Sequence, residues 1–176
     1  MLTRFCTRCW ASNREDERTC MRCGAPLTRP EDNGVPYTEK LLTALRHPEP
    51  ETKERAATLL GVIGEPGDSR IIHALLEALD VDPRGGSLRE IGLRAAACKS
   101  LASLGACEAN IILSRLALDE RIALLVSLSA VESLAQLAHD GCGQVGQQIE
   151  RIAREANRDA IRIEASLALA RLNEPQ

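Results

Sequence analysis

Four segments in the second part of the chain align without gaps, and this internal repeat strongly constrains its fold. The segments begin at Thr52, Leu93, Val126 and Ile161, and each carries small residues early and Leu or Ile later. Successive segments are separated by 41, 33 and 35 residues. Such a period is typical of stacked helical arrays, because one unit cannot bury both of its faces without a neighbour. The sequence therefore predicts a mostly α fold, an α-solenoid of about four helical pairs over residues 38–176.

Helix-terminating residues divide this region further. Stops are predicted at His47-Pro48, Gly64, Gly105 and Gly141, and Ser87–Glu90 has the form of a capping box. No segment after residue 30 shows the two-residue alternation of a strand. Three aspartates are predicted N-caps: Asp68, Asp119 and Asp159. The predicted helices span residues 38–47, 51–63, 68–80, 87–104, 108–117, 120–138, 143–156 and 159–172.

The N-terminal segment carries a metal-binding pattern. Two Cys-x2-Cys pairs, separated by ten residues, supply Cys6, Cys9, Cys20 and Cys23. Four thiolates in a tetrahedron are a preferred ligand set of Zn²⁺, although an iron centre can share this spacing. A module this short buries too little apolar surface to fold alone, so its metal would be structural. We predict a zinc ribbon over residues 1–28 and a linker, rich in Pro and Gly, over residues 29–37.

The repeat follows the pattern apolar-Arg-x-x-Ala-Ala-x-Ala-Leu-Gly-x-Ile-Gly, and it resembles the HEAT repeats of the phycobilisome-lyase-like class. The likeness is strong in the first two units, while Ser127 stands in the third unit where that family usually has Arg. The resemblance implies an α-solenoid that serves as a scaffold for protein partners. A minority of that family act as bilin lyases or chaperone-like factors.

The cysteine segment looks like the short bacterial zinc ribbon, and it shares its spacing, including Asn13, with zinc fingers of the Ran-binding-protein type. Some of those fingers bind single-stranded RNA or ubiquitin, and the RNA readers stack a base on a Trp after the matching Asn. Here Arg14 stands at that place. Nucleic-acid binding through aromatic and basic side chains is therefore the alternative function. The candidate contacts are Phe5, Trp10, Arg8, Arg14, Arg18 and Arg22.

The repeat register also predicts a solvent-facing stripe on the longer helices, which would line the concave side of the solenoid. The stripe has mixed charge and contains no aromatic side chain, whereas interfaces usually concentrate Trp, Tyr and Arg. We therefore expect a modest or electrostatic contact with a protein partner. Ser129 is placed on the same side. The candidate partner surface comprises Glu54, Arg55, Lys99, Glu132, Gln136, Glu164 and Arg171.

Other signals are weak, and no catalytic constellation is found. The formal net charge of −3 gives no general attraction to nucleic acid or anionic membranes. Gly141–Gly146 matches G-x-G-x-x-G, but its helical surroundings predict a turn and not a dinucleotide site. Cys98, Cys107 and Cys142 are scattered, and the odd cysteine count predicts no disulfide framework. With no apolar signal core or membrane span, we expect a non-enzymatic, cytoplasmic adaptor without a small-molecule substrate.

Overall fold

The computed structural model describes residues 3–6, 8, 9, 11–14, 16–27, 36–79 and 90–173, with the backbone alone for residues 3–5. These residues are mostly helical, and they include one antiparallel pair of short strands, β1 (Thr3–Phe5) and β2 (Ser12–Arg14). A 3₁₀ turn, Cys107–Ala109, precedes the fifth helix. The helices are α1 (Tyr37–Ala44), α2 (Pro50–Ile63), α3 (Ser69–Leu79), α4 (Ile91–Ser103), α5 (Asn110–Leu118), α6 (Leu124–His139), α7 (Val145–Glu155) and α8 (Asp159–Leu172).

The four long helices begin at the same position of the sequence repeat. Their N-cap residues are Glu49, Glu90, Ala123 and Arg158. These residues have the same separations as the aligned segments, so the gapless alignment is confirmed as a structural register. The predicted capping box at Ser87–Glu90 lies outside the described residues except for Glu90, and so does most of the predicted linker.

The long helices α2, α4, α6 and α8 pack side by side in chain order, and each short helix packs on the long helix that follows it. Small residues allow the close approach of the long helices: a Cβ added to Gly61 would lie 2.4 Å from Ser100 Oγ. Ser100 Oγ donates a hydrogen bond to the Ala57 carbonyl at 2.8 Å. Buried Leu and Ile side chains, such as Leu60 and Ile71, then form one continuous core along the stack.

The sequence predicted that the sixth helix begins at residue 120, but α6 begins later. The residues just before it form a separate turn that starts at Asp119. Its Oδ1 accepts a hydrogen bond from the Arg121 backbone N–H at 3.0 Å, and its carbonyl accepts one from Ile122 N–H at 3.1 Å. Ala123 is then extended, with ψ 137°, and α6 begins at Leu124. Asp68 is confirmed as a capping residue, since its Oδ1 accepts from the Arg70 backbone N–H. Asp159 is the first helical residue, with Arg158 as N-cap.

A disulfide joins Cys107 and Cys142, so the expectation that the chain has no disulfide is wrong. Gly105 and Gly141 adopt left-handed φ values of 66° and 86° just after α4 and α6. Stacking brings these two turns together, which leaves the two cysteine Cα atoms 5.6 Å apart. The signal in the sequence was a cysteine one or two residues after each of two successive helix-ending glycines.

Two further expectations concern burial and membranes. Cys98 is a free thiol with 0% exposure, which confirms its prediction as a buried substitute for Ala. Burial raises the pKa of this thiol to about 12. None of the helices in the described segments combines the length and the apolar character needed to cross a bilayer.

Candidate functional site

The sulfurs of Cys6, Cys9, Cys20 and Cys23 converge on one point. All four Sγ atoms lie within 4.8 Å of one another, with Cys6 and Cys23 3.7 Å apart and Cys9 and Cys20 3.5 Å apart. Sulfurs placed about 2.3 Å from a tetrahedral metal ion are about 3.8 Å apart. The donor set and its dimensions therefore fit a four-coordinate metal site. Among the described side chains, no second group of three potential ligands is this close.

Two loops of the same construction present these sulfurs. The backbone N–H of Cys6 donates to the Ala11 carbonyl at 3.0 Å, and that of Cys20 donates to the Ala25 carbonyl at 2.8 Å. Both loops read Cys-x-Arg-Cys-x-Ala, so the short module contains its own internal repeat. Gly24 closes the second loop with φ +68°. The spacing of the cysteines was enough to predict the site. The shared loop sequence is a stronger signal for the same site, and it is not contained in the spacing alone.

Asn13 connects the two loops. Its Nδ2 donates to the Ala11 carbonyl at 2.6 Å, and its Oδ1 accepts from the Met21 backbone N–H at 3.0 Å. The side chain is only 5% exposed. A buried amide that satisfies one backbone group in each loop fixes the distance between the two cysteine pairs.

The loops favour thiolates at two of the four cysteines. Burial opposes ionisation of Cys20, but hydrogen bonds from the backbone N–H groups of Cys23 and Arg22 outweigh it and lower its pKa to about 6. The same competition lowers the pKa of Cys6, where the N–H groups of Cys9 and Arg8 are the donors. At Cys9 the Ala11 N–H favours the thiolate, yet burial and the neighbouring sulfurs raise the pKa to about 12. A bound cation would remove this repulsion between the sulfurs.

Four arginines of the alternative nucleic-acid surface are exposed, namely Arg8, Arg14, Arg18 and Arg22. Arg14 Nε lies 3.3 Å from Asp16 Oδ1 at the surface, and such an exposed pair contributes little to stability. The side chain of Phe5 and all of Trp10 lie outside the described residues. The arginines of the predicted nucleic-acid surface are therefore exposed to solvent. The contribution of Phe5 and Trp10 to that surface stays a prediction.

The predicted partner surface is largely exposed, with Glu164 half-buried. Lys99 Nζ pairs with Glu132 Oε2 at 3.1 Å across α4 and α6, and Arg171 Nη1 lies 3.8 Å from Glu164 Oε1. Ser129 is only 1% exposed, so its placement on the solvent side is wrong. Its carbonyl accepts a hydrogen bond from the hydroxyl of Ser133, one turn later, and Ser133 holds the repeat position from which Ser100 contacts the preceding long helix.

Two positions of the repeat are exposed in all four long helices, and they lie one turn apart. Together they form two rows across the layer of long helices, which we call the outer stripe. Lys99, Glu132, Gln136 and Arg171 belong to it, whereas Glu54, Arg55 and Glu164 lie beside it. The outer stripe comprises Thr58, Val62, Lys99, Ser103, Glu132, Gln136, Leu167 and Arg171.

No family model matches the chain, and neither a curated protein nor a solved structure matches it. The resemblances to zinc ribbons and to HEAT repeats therefore stay predictions. Because a fold does not determine a function, the function has to be inferred from the cysteine cluster and the helical surface themselves.

Proposed function

We propose that this protein is a non-enzymatic adaptor. In this proposal residues 38–176 form a HEAT-like α-solenoid that holds a protein partner on the outer stripe, and residues 1–28 form a structural zinc ribbon that offers a second contact. The observation that carries the proposal is the layer of long helices, which presents the same two repeat positions to solvent in every unit. Stacked repeats commonly use such a continuous surface to bind other proteins.

Zn²⁺ is the metal that we propose for the cysteine cluster. Four sulfur ligands in a tetrahedral arrangement favour Zn²⁺, which needs no redox chemistry and no open coordination position in a structural site. The ion would neutralise half of the charge of four thiolates. Exposed arginines, among them Arg8 and Arg22, lie on the two loops that carry the sulfurs.

Metal content tests this assignment. Purified full-length protein should carry one Zn²⁺ per chain by native mass spectrometry and elemental analysis. Cys20→Ser should lose the ion, whereas Cys98→Ser should keep it, because Cys98 is buried among the helices and away from the cluster. Iron in place of zinc, or equal loss in both variants, would contradict the proposal.

The outer stripe is tested by partner binding. A stripe variant that combines Lys99→Glu, Gln136→Ala and Arg171→Glu should release a protein partner that wild-type protein captures in nuclease-treated lysate. All three side chains are exposed, so the variant should keep its fold. The matched control is Arg151→Glu on α7, in the layer of short helices. Equal capture by the stripe variant and wild type would exclude this surface as the binding site.

The exposed arginines favour nucleic-acid binding as the second candidate function. In that case the protein should bind single-stranded RNA with an affinity that falls steeply as salt is added, because phosphate contacts release counterions. Arg18→Glu combined with Arg22→Glu should abolish this binding and leave zinc content unchanged. If RNA bound with an affinity that changed neither with salt concentration nor with these substitutions, the arginines would not be the contacts.

A further inference from the structure

The first and last long helices each expose a face that is buried wherever a neighbouring repeat is present. Leu59 and Ile63 on α2 are 37% and 43% exposed, whereas Ser100 and Leu104, at the same repeat positions on α4, are 4% and 1% exposed. We call Arg55, Leu59 and Ile63, with the N-cap Glu49, the α2 end face. Repeat arrays usually carry polar outer faces at their ends, so these apolar side chains need an explanation.

The opposite end shows the same feature on the other side of the helix. Ile163 on α8 is 60% exposed, and Ser166 and Ala170 are exposed beside it. On α4 the positions equivalent to Ser166 and Ala170 are Cys98 and Ala102, which are 0% and 1% exposed. We call Arg162, Ile163, Ser166 and Ala170 the α8 end face.

We propose that the two end faces bind each other in successive copies of this chain, so that α8 of one copy packs against α2 of the next. The occupant of each face is thus a second copy, stacked head to tail in the register that relates neighbouring repeats within one chain. This proposal goes beyond the adaptor function, because neither end face includes a residue of the outer stripe.

The packing inside the chain shows how the copies would fit. Ser100 of α4 lies against Ala57 and Gly61 of α2. At the junction between copies, Leu59 takes the repeat position of Ser100, and Ser166 and Ala170 take the positions of Ala57 and Gly61. Ser166 and Ala170 are larger than Ala57 and Gly61, so α8 would lie farther from α2 of the next copy than α2 lies from α4 within one chain. The longer Leu59 side chain would fill that wider gap.

The polar contacts at the junctions have matching chemistry. Lys53 Nζ pairs with Glu90 Oε1 at 3.1 Å across α2 and α4, and at the same two repeat positions Arg158 Nη2 donates to Ser127 Oγ at 2.9 Å across α6 and α8. Between copies these two positions are held by Arg162 and Glu49, which have opposite charges. Both are exposed in the single chain, and Arg162 already pairs with Asp159 on its own helix. Charge complementarity therefore supports the same register.

A head-to-tail contact uses a different face on each partner. It does not close on itself unless the rotation between copies happens to make a ring, so it predicts chains whose length grows with concentration. This property separates the proposal from a symmetric dimer, in which two α2 end faces or two α8 end faces would pair.

The experiment is sedimentation velocity on the full-length chain over a concentration series. The average mass of wild type should rise with concentration, while Leu59→Glu alone and Ala170→Glu alone should remain monomeric. A mixture of these two variants should form a dimer of one copy of each and nothing larger, because each variant keeps the face that the other has lost. The control Ile111→Glu, at a side chain on α5 with 75% exposure, should associate like wild type.

Charge variants give a second readout. Glu49→Arg should weaken association up to about fivefold, as expected for an exposed ion pair, and Glu49→Arg with Arg162→Glu should restore it. Circular dichroism should show that all variants keep the wild-type helix content. A wild type that stays monomeric up to its solubility limit, self-association of Leu59→Glu alone, or failure of the two blocked variants to pair would overturn the proposal. None of these results bears on partner capture by the outer stripe, so the two proposals can fail separately.

Discussion

Gly61 shows how a single residue sets the distance between two long helices. An added Cβ would lie 2.4 Å from Ser100 Oγ and 2.7 Å from the backbone Cα of Ser100. The hydroxyl could rotate away, but the backbone atom could move only if α2 and α4 separated. That separation would also lengthen the hydrogen bond from Ser100 Oγ to the Ala57 carbonyl. The repeat alignment indicated a small residue here, although not how closely the helices approach.

Gly61→Ala should therefore lower the free energy of unfolding by about 1 to 3 kcal/mol, the usual cost of overpacking. The matched control is Gly146→Ala on α7, where an added Cβ would meet nothing within 4 Å. Since Ala is a better helix former than Gly, the control should leave stability unchanged or raise it by about 0.5 to 1 kcal/mol. Urea denaturation gives the free energy of unfolding of both variants. Equal destabilisation would show that the close contact with Ser100 is not the cause.

At the scale of elements, the sequence was informative where local residues decide the structure. The repeat predicted the equivalence of α2, α4, α6 and α8, although residue 120 was too early a start for α6, and the ends of α4 and α6 follow from Gly105 and Gly141. It was less informative where a tertiary contact decides. Ser129 is buried although Arg55, at the same repeat position on α2, is exposed, and the disulfide between the turns depends on how repeats stack. The convergence of the four cysteines was predictable because both loops are local.

The turn before α6 gives a pH-dependent prediction. A hydrogen bond from the Arg121 side chain, together with the Arg121 backbone N–H, lowers the pKa of Asp119 to about 2, from about 3.9 in an unfolded chain. Because the folded pKa is lower, this stabilisation is present above about pH 4 and is lost as the pH falls toward 2. Asp119→Asn should thus cost on the order of 2 kcal/mol at pH 7 and almost nothing near pH 2.

Urea unfolding of Asp119→Asn at several pH values, beside wild type, checks this expectation. Glu150→Gln, at an exposed carboxylate on α7, is the control and should run parallel to wild type throughout. A destabilisation of Asp119→Asn that did not change between pH 7 and pH 2 would show that the charge is not the cause.

At the scale of the whole molecule, the disulfide between Cys107 and Cys142 ties two successive repeats together. It closes a loop with a sequence separation of 35 residues, and a crosslink of this span typically stabilises by about 3 to 4 kcal/mol through the unfolded chain. Reduction should therefore lower the urea midpoint of the helical region. Cys107→Ala with Cys142→Ala should be less stable than wild type and insensitive to reductant, whereas Cys98→Ala should respond to reductant as wild type does. If reductant left the wild-type midpoint unchanged, the crosslink would contribute nothing to stability.

The two buried cores of the molecule predict how it responds to metal removal. Among the described residues, the buried apolar side chains of the cysteine module are Cys6, Cys20 and Leu27, whereas the helices share a continuous core that runs from Leu41 to Ala168. A module of fewer than 30 residues buries too little apolar surface to offset the conformational entropy of ordering it, so its fold should depend on the ion. Chelation should therefore unfold residues 4–27 and leave the helices intact. Hydrogen exchange should show loss of protection at Met21 and Leu27 while far-UV circular dichroism stays nearly constant, and Cys20→Ser should behave as the chelated protein does. A collapse of helix content on chelation would show that the helices also depend on the metal and that the division into two modules is wrong.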